Sequence, residues 1–460
     1  SMATLFSLLA LYSYVKARLA EKGFTRAWLF GAAALFAGMA LLSKENSGML
    51  PVIIAGYEFY FLPRSQKGKT NNRKAFIFYT VALLVFIGIC LLFLGSNPIH
   101  SILAKFSSRE FTLGQRLLTE TRVVFHYLSL LILPLPSRLN LAYDYPLSTG
   151  LLAPPQTLLA ILGLGTLVVL IFWLYRRDRL TSFALFWFLT NLVIESSFIA
   201  LEIIFEHRMY MPSMFLILAA TAWLFRLTAN KQAMARTVLI AATVILALFT
   251  WQRNSVWKSE ISLWTDVLNK APKSMRAHGN LGNAYSKAYM YPEAERHLLQ
   301  AVSIGHNDKS GNFSSEYMQK YLAKVHDNLS LVYREMQQYK KAIFEANLAL
   351  ELDPSRPDPL ITLGIVYSKM GQHPKAYDYF LTAAMKGAES VDLYNNWAVS
   401  SYNLGKIDQS INLLKKSITL DPDHPESHYN LGIAYSSKGM LEEAQREMQM
   451  AMKLRNKIKN

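Results

Sequence analysis

The pattern of apolar and polar residues changes character near residue 253. Before it, long apolar runs follow one another near 2–16, 26–43, 47–63, 75–95, 155–175, 181–201, 208–226 and 236–252. A hydrocarbon layer about 30 Å thick takes about 20 apolar residues in a helix, so these runs predict eight membrane spans. A further apolar stretch at 113–134 carries Arg116, Glu120, Arg122 and His126 as two i,i+4 pairs. Charge at that depth is costly unless it pairs or meets water. The stretch is therefore expected to lie in the membrane interface or to wall a polar cavity.

After residue 253 the apolar positions recur every 34 residues. Leu329-Ser330-Tyr333, Leu363-Gly364-Tyr367, Trp397-Ala398-Ser401 and Leu431-Gly432-Tyr435 share one phase, and Leu281-Gly282-Tyr285 repeats it upstream. Small residues at Ala294, Ala342, Ala376, Ser410 and Ala444 mark a second helix in each unit, where paired helices must approach closely. Such copies are the tetratricopeptide (TPR) pattern, one helix pair per repeat stacked into a solenoid. The predicted units are 275–308, 323–356, 357–390, 391–424 and 425–458, with a break of phase near 309–322. A lone helix near 257–270, within a 253–274 linker, is expected to cap the array. The expected fold class is all-α: a multispan transmembrane helical bundle over 1–252, then a TPR α-solenoid over 275–460.

Charge sets the orientation. Of the formal +16, +12 falls before residue 253. Clusters at Lys16 to Arg26, Arg64 to Lys74, Arg176 to Arg179 and Arg226 to Arg236 occupy alternate loops. The positive-inside rule makes those loops cytoplasmic and puts the array on the other side. Loop topology thus accounts for the basic balance, and no nucleic-acid partner is expected. Cys90 is the only cysteine, which excludes an intrachain disulfide. No His/Cys/Asp group has metal-ligand spacing, and no Gly-rich nucleotide loop is present. Neither a metal nor a cofactor is expected.

Three polar constellations remain. If the sixth span continues as a helix through Ser196-Ser197, Asn191, Glu195, Glu202 and Glu206 fall within about 60° of one another. His207, Arg208 and Tyr210 follow directly, and Lys44-Glu45 sits in a short outer turn. Ionisable residues at such depths are candidates for holding an anionic headgroup and managing a proton, with a self-neutralising structural network as the competing reading. In the array, Asn280, Asn328, Thr362, Asn396 and Asn430 share one position of the first helix. Side-chain amides offer both a donor and an acceptor to an extended peptide, although Asn at this position also serves ordinary repeat packing.

Ser43-Lys44-Glu45, the run Phe205-Glu206-His207-Arg208-Met209-Tyr210-Met211-Pro212-Ser213 and the array together resemble the membrane-embedded, TPR-containing protein O-mannosyltransferases and their bacterial relatives. The resemblance implies a GT-C glycosyltransferase fold, passing a mannose-like sugar from a polyprenyl-phosphate donor to a protein hydroxyl on the non-cytoplasmic face. It implies Glu206, Arg208 and Tyr210 at the membrane face of the active site, with Lys44 and Glu45 nearby. Arg208, with His207 or Arg122, would meet the leaving lipid phosphate, whose geometry suits a guanidinium. Arg116 and His126 complete the donor candidates, and Asn280, Asn328, Asn396 and Asn430 the expected acceptor groove.

The resemblance departs at one point. Enzymes of this type carry the catalytic acid in the first large outer loop, and nothing here matches it. The chain opens at Ser1-Met2 inside an apolar segment, so the expectation is an N-terminally incomplete sequence with its base outside it. The alternative class is a non-catalytic membrane scaffold whose repeats recruit partners for envelope assembly or polysaccharide export. Both readings fit a bacterial inner membrane or the endoplasmic reticulum, the former without added signals.

Overall fold

The computed structural model describes residues 2–20, 23–62, 97–106, 109–307 and 315–459. The expected span 75–95, Cys90, the basic loop 64–74 and residues 309–314 lie outside the described residues. The described chain is all-helical and divides into two compact units, one built mainly from Ser1–Ser259 and the other from Glu260–Leu268, Pro272–Ser310 and Ser315–Asn460.

The first unit contains α1 Met2–Leu19, α2 Phe24–Ser43, α3 Leu50–Phe61, α4 Pro98–Ala104, α5 Leu113–Ile132, α6 Gln156–Tyr175, α7 Arg179–Leu192, α8 Ser213–Leu227 and α9 Gln232–Ser255. Among the described residues, α2, α6 and the helix running from Gln232 to Lys258 are long and apolar enough to cross a membrane. Leu159, Leu162, Val169 and Phe172 on α6 are exposed, as suits a helix apolar all round whose solvent is lipid. Two of the expected spans, 47–63 and 181–201, hold helices shorter than the sequence predicts. α3 has 12 residues and α7 has 14, about 18 and 21 Å at 1.5 Å per residue, and the expected span 181–201 stops being helical at Leu192.

Local chemistry sets the helix starts. Thr112 and Gln115 form a reciprocal capping box at α5, with bonds of 2.9 and 3.2 Å, which satisfies donors that a helix N-terminus leaves open. Asp178 caps α7 through Thr181 and also accepts from Trp223 and Arg226 of α8. Phe183, Trp187 and Phe188 of α7 are fully buried. Gly56 of α3 lets the Phe186 ring approach, since a Cβ there would stand 2.2 Å from it.

In the second unit α10 Glu260–Lys270 precedes five helix pairs: α11 Met275–Lys287 with α12 Tyr291–Asn307, α13 Ser315–Glu335 with α14 Tyr339–Leu352, α15 Asp358–Lys369 with α16 His373–Met385, α17 Val391–Asn403 with α18 Ile407–Leu420, and α19 Pro425–Ser437 with α20 Leu441–Lys459. α13 is the lengthened one, at 21 residues. Ala294, Ala342 and Ala376 are fully buried where the helices meet, so the small side chains set the distance of approach. In the last three repeats the turn inside each pair passes through a left-handed glycine, Gly371, Gly405 or Gly439, at φ 76, 76 and 78°. Tyr289 and Gln337 hold that position in the first two, at φ 60 and 58°.

Candidate functional site

The site grows from the point where α7 stops. Beyond Leu192 the backbone turns, and Arg116 of α5, fully buried, reaches across to it. Its Nε donates to the Ser197 carbonyl at 3.0 Å, Nη2 to the Glu195 carbonyl at 2.5 Å, and Nη1 to the Leu201 carbonyl. Carbonyls that a continuing helix would turn toward its own N–H groups are here satisfied by a guanidinium. Arg116 also pairs with Glu120 at 2.9 Å.

The expected single face of Asn191, Glu195, Glu202 and Glu206 is thereby corrected, because no helix runs through Ser196-Ser197. Glu195 turns to Lys44 at 2.6 Å and stands 3.9 Å from Arg208. Glu202 pairs with Arg109 at 3.1 Å. Glu206 accepts from the Tyr143 hydroxyl at 2.8 Å and from the Asn140 amide, and Asn191 donates to the Trp187 carbonyl. Glu195 is thus a hub, its side chain 2 % exposed under two cations. It was readable in the sequence only as one carboxylate of a polar row.

The donor candidates separate into four places. Lys44, His207 and Arg208 surround Glu195. Arg208 is buried, donates to the Ile203 carbonyl at 3.1 Å and lies over the Phe205 ring, whereas Lys44 and His207 keep contact with solvent. Loss of hydration, then the Lys44 charge, holds the His207 imidazole below its ordinary pKa. Arg116 stands apart with its donors spent on backbone. Glu206 sits with Tyr143, where burial raises the carboxyl and, with the neighbouring carboxylate, the phenol. Arg122 and His126 lie one turn apart on another face of α5 and line an open cleft of about 470 Å³ with Tyr145, Gln156, Phe125 and Leu159. Tyr210 is 60 % exposed. Glu45 begins the short 3-10 helix Glu45–Met49, and its side chain lies outside the described residues.

In the array, Asn280, Asn328, Asn396 and Asn430 are half-buried and Thr362 is buried. The Asn396 amide donates to the Asp392 carbonyl of its own helix at 2.8 Å, and that of Asn430 to the Asn395 side chain at 2.9 Å. The row is therefore partly occupied by internal bonds and interrupted at Thr362. Among the described residues no group of three or more His, Cys, Asp or Glu side chains is arranged to hold a metal ion.

The fold defines an all-α protein with a TPR solenoid, and comparison with known proteins agrees. Family models described as TPR repeat and tetratricopeptide repeat match residues 401–439 and 425–458, and one described as anaphase-promoting complex, cyclosome, subunit 3 matches 335–417. The chain is similar to Protein O-mannosyl-transferase TMTC3 of Homo sapiens, 23% identical over 277 residues, covering 52% of this chain and 30% of the relative. The Mus musculus protein of the same name is 24% identical over 374 residues, covering 66% and 40%. A Caenorhabditis elegans protein O-mannosyl-transferase is 23% identical, covering 66% and 42%. The chain thus spans less than half the length of the curated relatives it matches. Among solved structures, YrrB, a TPR protein with an unusual peptide-binding site, is 21% identical over 42% of this chain and 91% of its own, at a TM-score of 0.31. MamA from Desulfovibrio magneticus RS-1 is 16% identical over 40% and 96%, at 0.32. The repeats mark a module that binds peptide or protein, and the long apolar helices associate the chain with a membrane.

Proposed function

We propose that this chain forms part of a membrane glycosyltransferase that moves a mannose-like hexose from a polyprenyl-phosphate carrier to a protein hydroxyl on the non-cytoplasmic face, with the repeats holding the acceptor. One observation carries the reading. The match to the O-mannosyl-transferases covers 66% of the chain, more than the array Glu260–Lys459 occupies in 460 residues, so it reaches into the membrane half. A repeat array alone would align with repeats alone.

The chemistry asked of such a site is a carboxylate to take the hydroxyl proton and cationic stabilisation of the leaving phosphate. Lys44 and His207 are the solvent-facing basic groups of the Glu195 cluster, and buried Arg208 stands 3.9 Å from the Glu195 carboxylate. No residue is assigned as the base. A GT-C architecture, in a bacterial inner membrane or the endoplasmic reticulum, is part of the same proposal.

A second reading, a non-catalytic scaffold, draws on one fact: the Arg116 and Arg208 guanidiniums bond backbone carbonyls and carboxylates of their own unit. The deciding experiment is transfer of radiolabelled sugar from polyprenyl-phosphate donors to protein, in membranes containing the full-length gene product. Lys44→Ala is expected to lower transfer about tenfold or more at unchanged protein level, as loss of a charge-assisted contact does. No transfer from any donor, with intact protein that still captures peptide, would leave the scaffold standing.

A further inference from the structure

We propose that the cleft between α5 and α6 binds the phosphate end of a long-chain anionic amphiphile, with Arg122 and His126 at the headgroup and α6 along the chain. This rests on the reading of a lipid-linked donor and gives that donor an open docking place in addition to the Lys44 and His207 cluster proposed to serve transfer.

The polar end of the cleft is prepared. Arg122 Nη1 donates to the Pro146 carbonyl at 2.8 Å and to the Ser148 hydroxyl at 3.3 Å, and the guanidinium lies over the Tyr145 ring at 4.8 Å. These contacts fix its plane and leave its charge unmatched, for no carboxylate among the described residues forms an ion pair with it. Charge on an ordered guanidinium beside an open cleft is what a phosphate recognises. His126 packs edge-on against Tyr143 and Tyr145 and lines the cleft one turn from Arg122. The loop carrying Tyr145 is pinned, since the Ser148 amide donates to Thr119 and its hydroxyl bonds Thr157, both at 2.8 Å.

The other end is apolar. Gln156 and Leu159 come from the first turn of α6, the helix of highest mean hydropathy among the three membrane-length ones, at 2.5. Phe125 continues the wall, packed against Gly163, where a Cβ would meet its ring at 2.6 Å. Beyond the cleft α6 exposes Leu162, Val169 and Phe172. A ligand with a phosphate at Arg122 therefore has an apolar, lipid-facing surface for its chain to follow. Neither a free phosphate nor an uncharged lipid satisfies both ends.

The test is binding to the purified full chain in detergent, using a photoreactive farnesyl monophosphate. Crosslinks are expected in α5, the first turn of α6 or residues 143–148. Arg122→Gln is expected to weaken binding about tenfold or more, Arg122→Lys to recover part of it through charge alone, and an unchanged melting midpoint in both reports that the fold survives. Farnesol is expected to compete poorly. Unchanged affinity in Arg122→Gln, or crosslinks confined elsewhere, overturns the assignment. Full competition by inorganic phosphate overturns the amphiphile. Equal competition by phosphatidylcholine vesicles containing phosphatidic acid overturns the donor and reassigns the cleft to bulk anionic lipid. Retained farnesyl monophosphate binding in a protein that transfers no sugar supports this site while sinking the proposed reaction.

Discussion

Arg116 shows how much one side chain decides in the membrane-associated unit. Its three donors replace the hydrogen bonds a longer α7 would have made, and its charge is answered by Glu120. Removing one partner of a buried pair costs more than removing both, because the survivor stays buried and uncompensated. Arg116→Leu is therefore expected to destabilise the protein by about 3–5 kcal/mol, seen as a lowered melting midpoint in detergent. The Arg116→Leu, Glu120→Leu pair should recover part of the loss. A double variant no better than the single one would show that the backbone carbonyls, and not the carboxylate, carry the cost. The sequence displayed this pair, four residues apart on one helix. It did not display the carbonyls, which lie about eighty residues further along, so the apolar run alone carried the expected span past Leu192. The same blindness hid Glu195 as a hub, since the position of Lys44 opposite it depends on tertiary packing.

At the scale of elements the repeats were legible because a period of 34 states its own geometry, and the helix pairs follow the small residues that mark it. What the period conceals is the exceptions. The left-handed turn position is glycine in three repeats, but Tyr289 and Gln337 stand there in the other two, and an L side chain in that conformation costs about 1 kcal/mol. Gln337→Gly is thus expected to stabilise the array by about 0.5–1 kcal/mol, measured by chemical unfolding; a loss of stability would refute the strain. A second exception concerns histidine. His326 and His428 of the first helices point Nδ1 at Glu345 and Glu447 of their partners, at 2.6 and 2.5 Å. The first repeat puts His297 in the carboxylate's place, with the two Nδ1 atoms 3.1 Å apart.

That exchange has a pH consequence. Burial, the facing His278 and Arg296 push the His297 imidazole from 6.5 down to about 4, and burial lowers His278 as well, against the Pro272 carbonyl. A base whose folded value is depressed gives stability that is complete above its unfolded value and is lost as pH falls toward the folded one. The first repeat should therefore loosen between pH 6.5 and about 4. Limited proteolysis across α11 and α12 in the full chain would report it. His297→Glu restores the His–carboxylate pair of the second and fifth repeats and is expected to remove the sensitivity.

For the whole molecule the decisive quantity is where its charge lies. With +12 of +16 before residue 253, the electrostatic work of insertion falls on loops of the first unit, and the proposal that the repeats lie on the non-cytoplasmic side rests on the rule that basic loops stay cytoplasmic. The array itself is nearly neutral and does not resist translocation. Both the acceptor role of the repeats and the cleft at Arg122 require access from that side. Asn312-Phe313-Ser314 is a glycosylation sequon in the break of repeat phase, and it converts the assignment into a measurement. Asn328-Leu329-Ser330 is a second such sequon, so a lumenal array expressed in a eukaryotic cell is expected to acquire endoglycosidase-sensitive glycan that the Asn312→Gln, Asn328→Gln pair abolishes. The same chain carrying a cytosolic protease-accessible tag after Asn460, cleaved from the cytosolic side, would put the repeats with the cytoplasmic loops. Transfer to a secretory hydroxyl would then be excluded on topology, whatever the chemistry at Lys44 and His207.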